Sequence, residues 1–375
     1  GANTFNYAKI DNYATGTRFG NLVVDKPDLA NLIIQSPTPL IVQGNFNIQN
    51  QSNVEFNHCD MTITGSLTLN NGSKLAILDY STLNVNGATS ISDELIVGSY
   101  SELICNSTFS LPSQGSMKIY DESIVKLARA YAGVYFSFTG NVTLYEDAIL
   151  EITHNGLQIG TAANIQVNTG TIKIGWAFRA MSPNTFNGGA GQVELFGARS
   201  GQIEMHSTNS FYDLVINKPG ISYAVMQVSQ VVANRDIIIQ GGNLTPLNNI
   251  LRTLRDLRIE GGRLTLATGS VMQVCRNWIN TAGTAAFDEG TGTVQFIDTG
   301  YQNSIIPTET FHNLVINKSV GQYAEVPSGA TVTVKGSLNI AFRKLILNPG
   351  CTIKLNNYSS LLISYEGELY SVGTE

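Results

Sequence analysis

Apolar residues alternate with Thr, Asn and Ser across almost the whole chain, in runs such as Met61-Thr62-Ile63-Thr64 and Thr331-Val332-Thr333-Val334. A period of two sends successive side chains to opposite faces of a strand, so one set enters a core while the other meets water. One Gly-led version of this pattern recurs: Gly44-Asn45-Phe46-Asn47-Ile48, Gly65-Ser66-Leu67-Thr68-Leu69 and Gly87-Ala88-Thr89-Ser90-Ile91 begin 21 and 22 residues apart. It returns as Gly262-Arg263-Leu264-Thr265-Leu266 and Gly336-Ser337-Leu338-Asn339-Ile340. Such a spacing suits one coil made of roughly three strands of about four to five residues, joined at turns where Gly, Asn and Asp tolerate positive φ. The pattern predicts an all-β parallel β-helix, a β-solenoid with coils of about 21 residues. The alternative is an array of β-sandwich domains, although a sandwich does not repeat so finely and a propeller needs blades of roughly 40–45 residues.

A longer repeat overlies the short one. Phe19-Gly20-Asn21-Leu22-Val23-Val24-Asp25-Lys26-Pro27 matches Phe211-Tyr212-Asp213-Leu214-Val215-Ile216-Asn217-Lys218-Pro219 and Phe311-His312-Asn313-Leu314-Val315-Ile316-Asn317-Lys318-Ser319. The last two segments begin 100 residues apart and the first two 192 apart. One continuous solenoid over 1–375 is therefore expected, with internal units of about 19–210, 211–310 and an incomplete 311–375. Helical composition is scarce. Ile124–Tyr131 and Ile250–Leu257 are the two stretches that fit short helices, and the neighbouring strand patterns pull the second towards turn and strand.

Asn277-Trp278-Ile279-Asn280, Gly290-Thr291-Gly292-Thr293-Val294-Gln295-Phe296, Gln302 and the Phe311–Lys318 segment, alternating with Gly-led strands, resemble a repeat of large secreted proteins of the Bacteroidota and related bacteria. Those repeats look like cell-surface or exported β-solenoids, often in long chains that end in a sorting domain for the type IX secretion route. The resemblance implies export and an adhesive or structural role, and it brings no catalytic residues. Here the first unit is nearly double length, and Gly373-Thr374-Glu375 closes the sequence without a recognisable sorting domain.

Composition narrows the partners. Charged residues make up only 13% of the chain, so the polar face is built from Asn, Thr, Ser and 36 glycines. With a net charge of −6 and Lys and Arg spread singly, the basic footprint of nucleic-acid or anionic-membrane binding is missing. No apolar run approaches the roughly 20 residues of a membrane helix, and the first residues lack a signal-peptide pattern, as expected of a mature or partial chain. Cys59, Cys105, Cys275 and Cys351 are too widely separated for a close-spaced zinc or disulfide framework and are expected as buried thiols.

β-Helices also carry polysaccharide lyases and hydrolases, so catalytic patterns matter. His58, His154, His206 and His312 are isolated from metal-ligand spacings, and no nucleophile elbow or phosphate loop is present. Asp121-Glu122, Glu146-Asp147 and Asp288-Glu289 are carboxylate pairs, but neighbours along a strand point to opposite faces, so a catalytic couple needs residues from different coils. Neither a metal nor a cofactor is expected. The best candidates for binding are aromatic: Tyr131 and Tyr135, with Trp176 and Phe178 about two coils further on, for stacking a sugar ring. Core packing at a widened coil is the competing reading, since Tyr135 and Phe136 cannot both face outward. The function expected is thus a non-enzymatic extracellular or cell-surface scaffold or adhesin, with itself or surface glycans and proteins as partners. A carbohydrate-binding module is the alternative, and a polysaccharide-degrading enzyme a third.

Overall fold

The computed structural model describes residues 7–11, 16–25, 31–129, 133–298, 300, 303–364 and 366–372. The chain is all-β: parallel strands stack into a β-solenoid whose turns lie about 22 residues apart. Packing divides it into two compact units, Gly1–Val193 and Glu194–Glu375. That division falls inside the first of the sequence repeats rather than at its edge. Among the described residues the one helix is a single 3-10 turn, Thr284–Ala286. Ile124–Leu127 and Ile250–Thr253, within the two stretches with helical composition, are strands. Their inward residues, Val125 and Leu251, continue ladders set by the coils before them, and that pairing overrides the local preference.

In the first unit a coil consists of three short strands. Leu67–Leu69, Lys74–Leu78 and Thr82–Val85 form one coil, and Thr89–Ile91, Glu94–Val97 and Glu102–Cys105 the next. The strands pair in parallel and in register, Leu67 with Thr89, Leu75 with Leu95 and Leu83 with Leu103. Leu67, Leu69, Leu75, Ile77, Leu83 and Val85 all point inward and are buried. Outward, register aligns Lys74 with Glu94 at 3.1 Å, and Lys118 reaches the same carboxylate at 2.7 Å. Exposed pairs of this kind contribute little, about 0–1 kcal/mol each, so the apolar ladders carry the stability.

Each corner of the coil has its own chemistry. At the corner ahead of the Gly-led strand, the Gly65 N–H donates to Gly44 O and the Gly87 N–H to Gly65 O, both at 3.0 Å. A Cβ on Gly65 would lie 2.5 Å from Gly44 O, so only glycine lets the backbones meet. Beside them Asn21 accepts the Asn45 N–H at 2.8 Å, and Asn45 accepts the Ser66 N–H at 2.9 Å. At another corner two successive residues per coil take left-handed backbone, Asp79-Tyr80, Ser99-Tyr100, Asp121-Glu122 and Glu146-Asp147. Buried serines follow the first three of these turns. Ser81 Oγ accepts the Cys59 N–H, Ser101 Oγ the Ser81 N–H and Ser123 Oγ the Ser101 N–H, at 3.0–3.1 Å. Those hydroxyls satisfy backbone donors that the turn removes from the sheet ladder.

The second unit repeats the plan with charged rungs. Asp213–Asn217, Ile237–Gly241, Leu257–Ile259 and Trp278–Asn280 pair successively in parallel. Asp213 Oδ1 accepts the Asp236 N–H, Asp236 Oδ1 the Asp256 N–H and Asp256 Oδ1 the Asn277 N–H, at 3.0–3.1 Å. Arg235 Nη2 lies 2.7 Å from Asp213, and Arg276 pairs with Asp256 through Nε and Nη2. Burial still pushes the Asp213 carboxyl above its ordinary range, and Arg235 works against that rise. A second sheet of this unit runs Gln230–Ala233, Ile250–Thr253, Val271–Val274, Thr293–Ile297, Asn313–Asn317 and Ser337–Leu347.

Candidate functional site

Of the four aromatic candidates, the structure brings Tyr135 and Trp176 together in the first unit, with ring centres 5.0 Å apart and planes at 40°. Both side chains are half-buried. Gly156 pairs with Tyr135, and a Cβ there would lie 2.7 Å from two Tyr135 ring carbons, so the missing side chain makes room for the phenol. Phe178 is fully buried and packs edge-on against Phe186 at 5.0 Å. It belongs to the core because it sits on the inward face next to Leu157, and it presents no ring to a ligand. Tyr131 lies outside the described residues.

Two aromatic ladders escaped the sequence reading. Tyr80 and Tyr100 stack at 5.3 Å and 7°, and Tyr120 and Tyr145 at 4.5 Å and 2°. The signal was present: Tyr80 and Tyr100 each precede one of the buried serines, one coil apart. Because stacked rings face one another along the coil direction, what they show to solvent is mostly their edges.

The carboxylate pairs also resolve. Asp121-Glu122 and Glu146-Asp147 occupy left-handed turns on neighbouring coils, and Asp121 beside Glu146 raises the Glu146 carboxyl. Asp288 is bound by Arg263 at 2.7 Å, and Glu289 by Lys335. Cys59, Cys105 and Cys275 are buried and Cys351 half-buried, each as a thiol. Burial pushes the Cys59 and Cys105 thiols up to about 12. Among the described residues no group of three His, Cys, Asp or Glu side chains is placed to hold a metal ion. Among the described residues no helix is long and apolar enough to cross a membrane.

The second unit holds a cleft of about 500 Å³ that the sequence did not indicate, lined by Arg252, Gln273, Gln295, Asp298 and the Asn317–Val320 turn, with Phe342. Its floor is one outward row of the sheet, where register aligns Arg252, Gln273 and Gln295 on consecutive coils. Its rim is set by a bulge, where Ile316 pairs with Ile340 but Asn317 with Phe342. Beneath the rim Lys318 is buried and donates to Cys275 O at 2.7 Å and Ile297 O at 2.8 Å. Lys218, its counterpart in the long repeat, donates to Arg199 O at 2.8 Å and Phe196 O at 3.2 Å. Burial lowers both lysines to about 8. Trp278 and Asn280 also serve the interior: the indole N–H and the amide donate to Glu309 at 3.2 and 2.7 Å. Burial raises the Glu309 carboxyl in spite of those bonds.

Fold and surface together define a parallel β-solenoid repeat protein. No family model, curated protein or solved structure matches the chain.

Proposed function

We propose that the protein is an extracellular structural or adhesive scaffold, non-enzymatic, whose coil stack offers open strand edges on which further coils or a second copy can stack end to end. One observation carries this reading. Leu361 and Ile363 are 47% and 44% exposed, although Leu338 and Ile340, their register partners one coil earlier, are 1% and 0% exposed. Inward-facing positions of the repeat thus lie open on the coil formed by Thr352–Leu355, Ser360–Ile363 and Gly367–Ser371, together with strand edges that further strands can pair. The resemblance to exported Bacteroidota repeats supports the location outside the cell and a surface or secreted role. Analytical ultracentrifugation over a range of concentrations tests the assembly: mass rises with concentration, and Leu361→Asp with Ile363→Asp abolishes the rise. A monodisperse monomer at every concentration refutes assembly, and surface labelling of intact cells tests location.

The half-exposed Tyr135 and Trp176 pair favours a second reading, a carbohydrate-binding module. Loss of glycan binding in Trp176→Ala with unchanged melting supports it, and retained binding in a protein shown to bind glycans removes it.

A further inference from the structure

The row on the floor of the second-unit cleft is a directed chain of hydrogen bonds. Arg252 Nε donates to Gln273 Oε1 at 2.6 Å, and Gln273 Nε2 donates to Gln295 Oε1 at 2.9 Å. Each bond fixes the amide beyond it, so Gln273 has one N–H and Oε1 engaged and Gln295 is left with its Nε2 hydrogens as donors. The Gln295 amide nitrogen and the two Arg252 Nη groups have no acceptor among the described residues. Bonds aligned head to tail polarise one another, which strengthens the free donor at the Gln295 end of the row. These donors sit on coils stacked about 4.8 Å apart, so the floor presents N–H groups across two coil spacings.

Charge selects the acceptor. Arg252 and Lys318 bring two positive charges to the lining and Asp298 one negative, which leaves the cleft one positive charge in excess within a chain of net charge −6. Arg252 is the cation placed to meet a ligand, since Lys318 directs its ammonium to backbone carbonyls. A guanidinium with both Nη groups open binds a carboxylate in two-point fashion. Val320, an exposed side chain, and Phe342, half-buried with the Arg343 guanidinium over its ring at 4.5 Å, add apolar surface to the lining, and the volume lies in the range of small-ligand sites.

We propose that this cleft binds an acidic saccharide, with a uronic-acid carboxylate on Arg252, hydroxyl oxygens on the Gln273 and Gln295 amides, and a ring face against Phe342 and Val320. A neutral sugar would leave the guanidinium without its counter-charge, and a simple carboxylate would leave the amide row and the apolar surface unused. The site is independent of both readings above, since it needs neither assembly nor the Tyr135 and Trp176 pair.

Isothermal titration of the whole chain with a galacturonic acid tetramer, cellotetraose and acetate tests it. The acidic tetramer binds at least about tenfold tighter than either of the others, and its affinity falls as salt is raised. Arg252→Ala lowers that affinity about tenfold or more, Gln295→Ala several-fold, and Ser113→Ala, in an exposed turn of the first unit, leaves it unchanged, all with melting temperatures within a few degrees of the parent. Should the arginine variant melt early, Arg252→Lys is the substitute, because it keeps the charge and stem while losing two-point binding. Undetectable binding of the tetramer, equal binding of acetate, or full affinity in both arginine variants overturns the proposal.

Discussion

The Ser81 N–H donates to Ser101 Oγ at 3.0 Å from a neighbouring coil, and both residues are buried. The hydroxyl stands in for the backbone carbonyl that a left-handed turn swings out of reach. Removing it strands a buried donor, which costs about 1–3 kcal/mol. Ser101→Ala is therefore expected to lower the free energy of unfolding in urea by that amount, whereas Ser113→Ala, in an exposed turn, leaves it within about 0.5 kcal/mol.

Glycines 65 and 98 differ in what a methyl group would meet. At Gly65 it would press on Gly44 backbone and the Asn45 side chain, while at Gly98 the nearest atom is Leu78 Cδ2 at 3.4 Å. Gly65→Ala should cost about 2 kcal/mol or more and Gly98→Ala under about 1 kcal/mol. Equal losses of stability in the two variants would show that the coil backbones do not meet at Gly65.

Lys218 and Lys318 give the protein an unusual alkaline response. In the fold they lose their protons near pH 8, although an unfolded lysine holds its proton to about pH 10.4. Between those values the unfolded chain binds more protons, so these two groups make stability rise as the pH climbs from 8 towards 10. Subtracting the profile of the Lys218→Met, Lys318→Met double variant from that of the parent isolates the effect. Parallel profiles would refute it.

Phe178 and Trp176 are two residues apart and have opposite expectations. Phe178→Ala removes a fully buried ring and should cost about 3–5 kcal/mol. Trp176 is half-buried, and Trp176→Ala should cost clearly less, read from chemical denaturation of the two variants side by side.

Asp256 accepts the Arg276 Nε–H at 2.7 Å and the Asn277 N–H at 3.0 Å, with its own side chain buried. Asp256→Ala should destabilise by about 2–4 kcal/mol, because a partly buried guanidinium and a backbone donor lose their acceptor together. Arg276→Ala is the milder change, since Asp256 keeps its backbone bond.

The sequence by itself determined the solenoid. A period of two fixes which side chains face inward, and a Gly-led strand every 21 or 22 residues fixes the coil, because both follow from local backbone geometry. The Trp176 and Tyr135 pair was also legible, as aromatic residues about two coils apart. What the sequence could not separate was Trp176 from Phe178, since Trp176 lies in the bend ahead of the strand Phe178–Ala180, while the pairing of that strand sets Phe178 beside Leu157 in the core. The serine ladder, the directed row from Arg252 to Gln295 and the buried ammonium of Lys318 join residues about one or more coils apart. Stacking alone decides which atoms of those coils come within hydrogen-bond distance, and a one-residue bulge at Asn317 brings Phe342 to the rim of the cleft beside them.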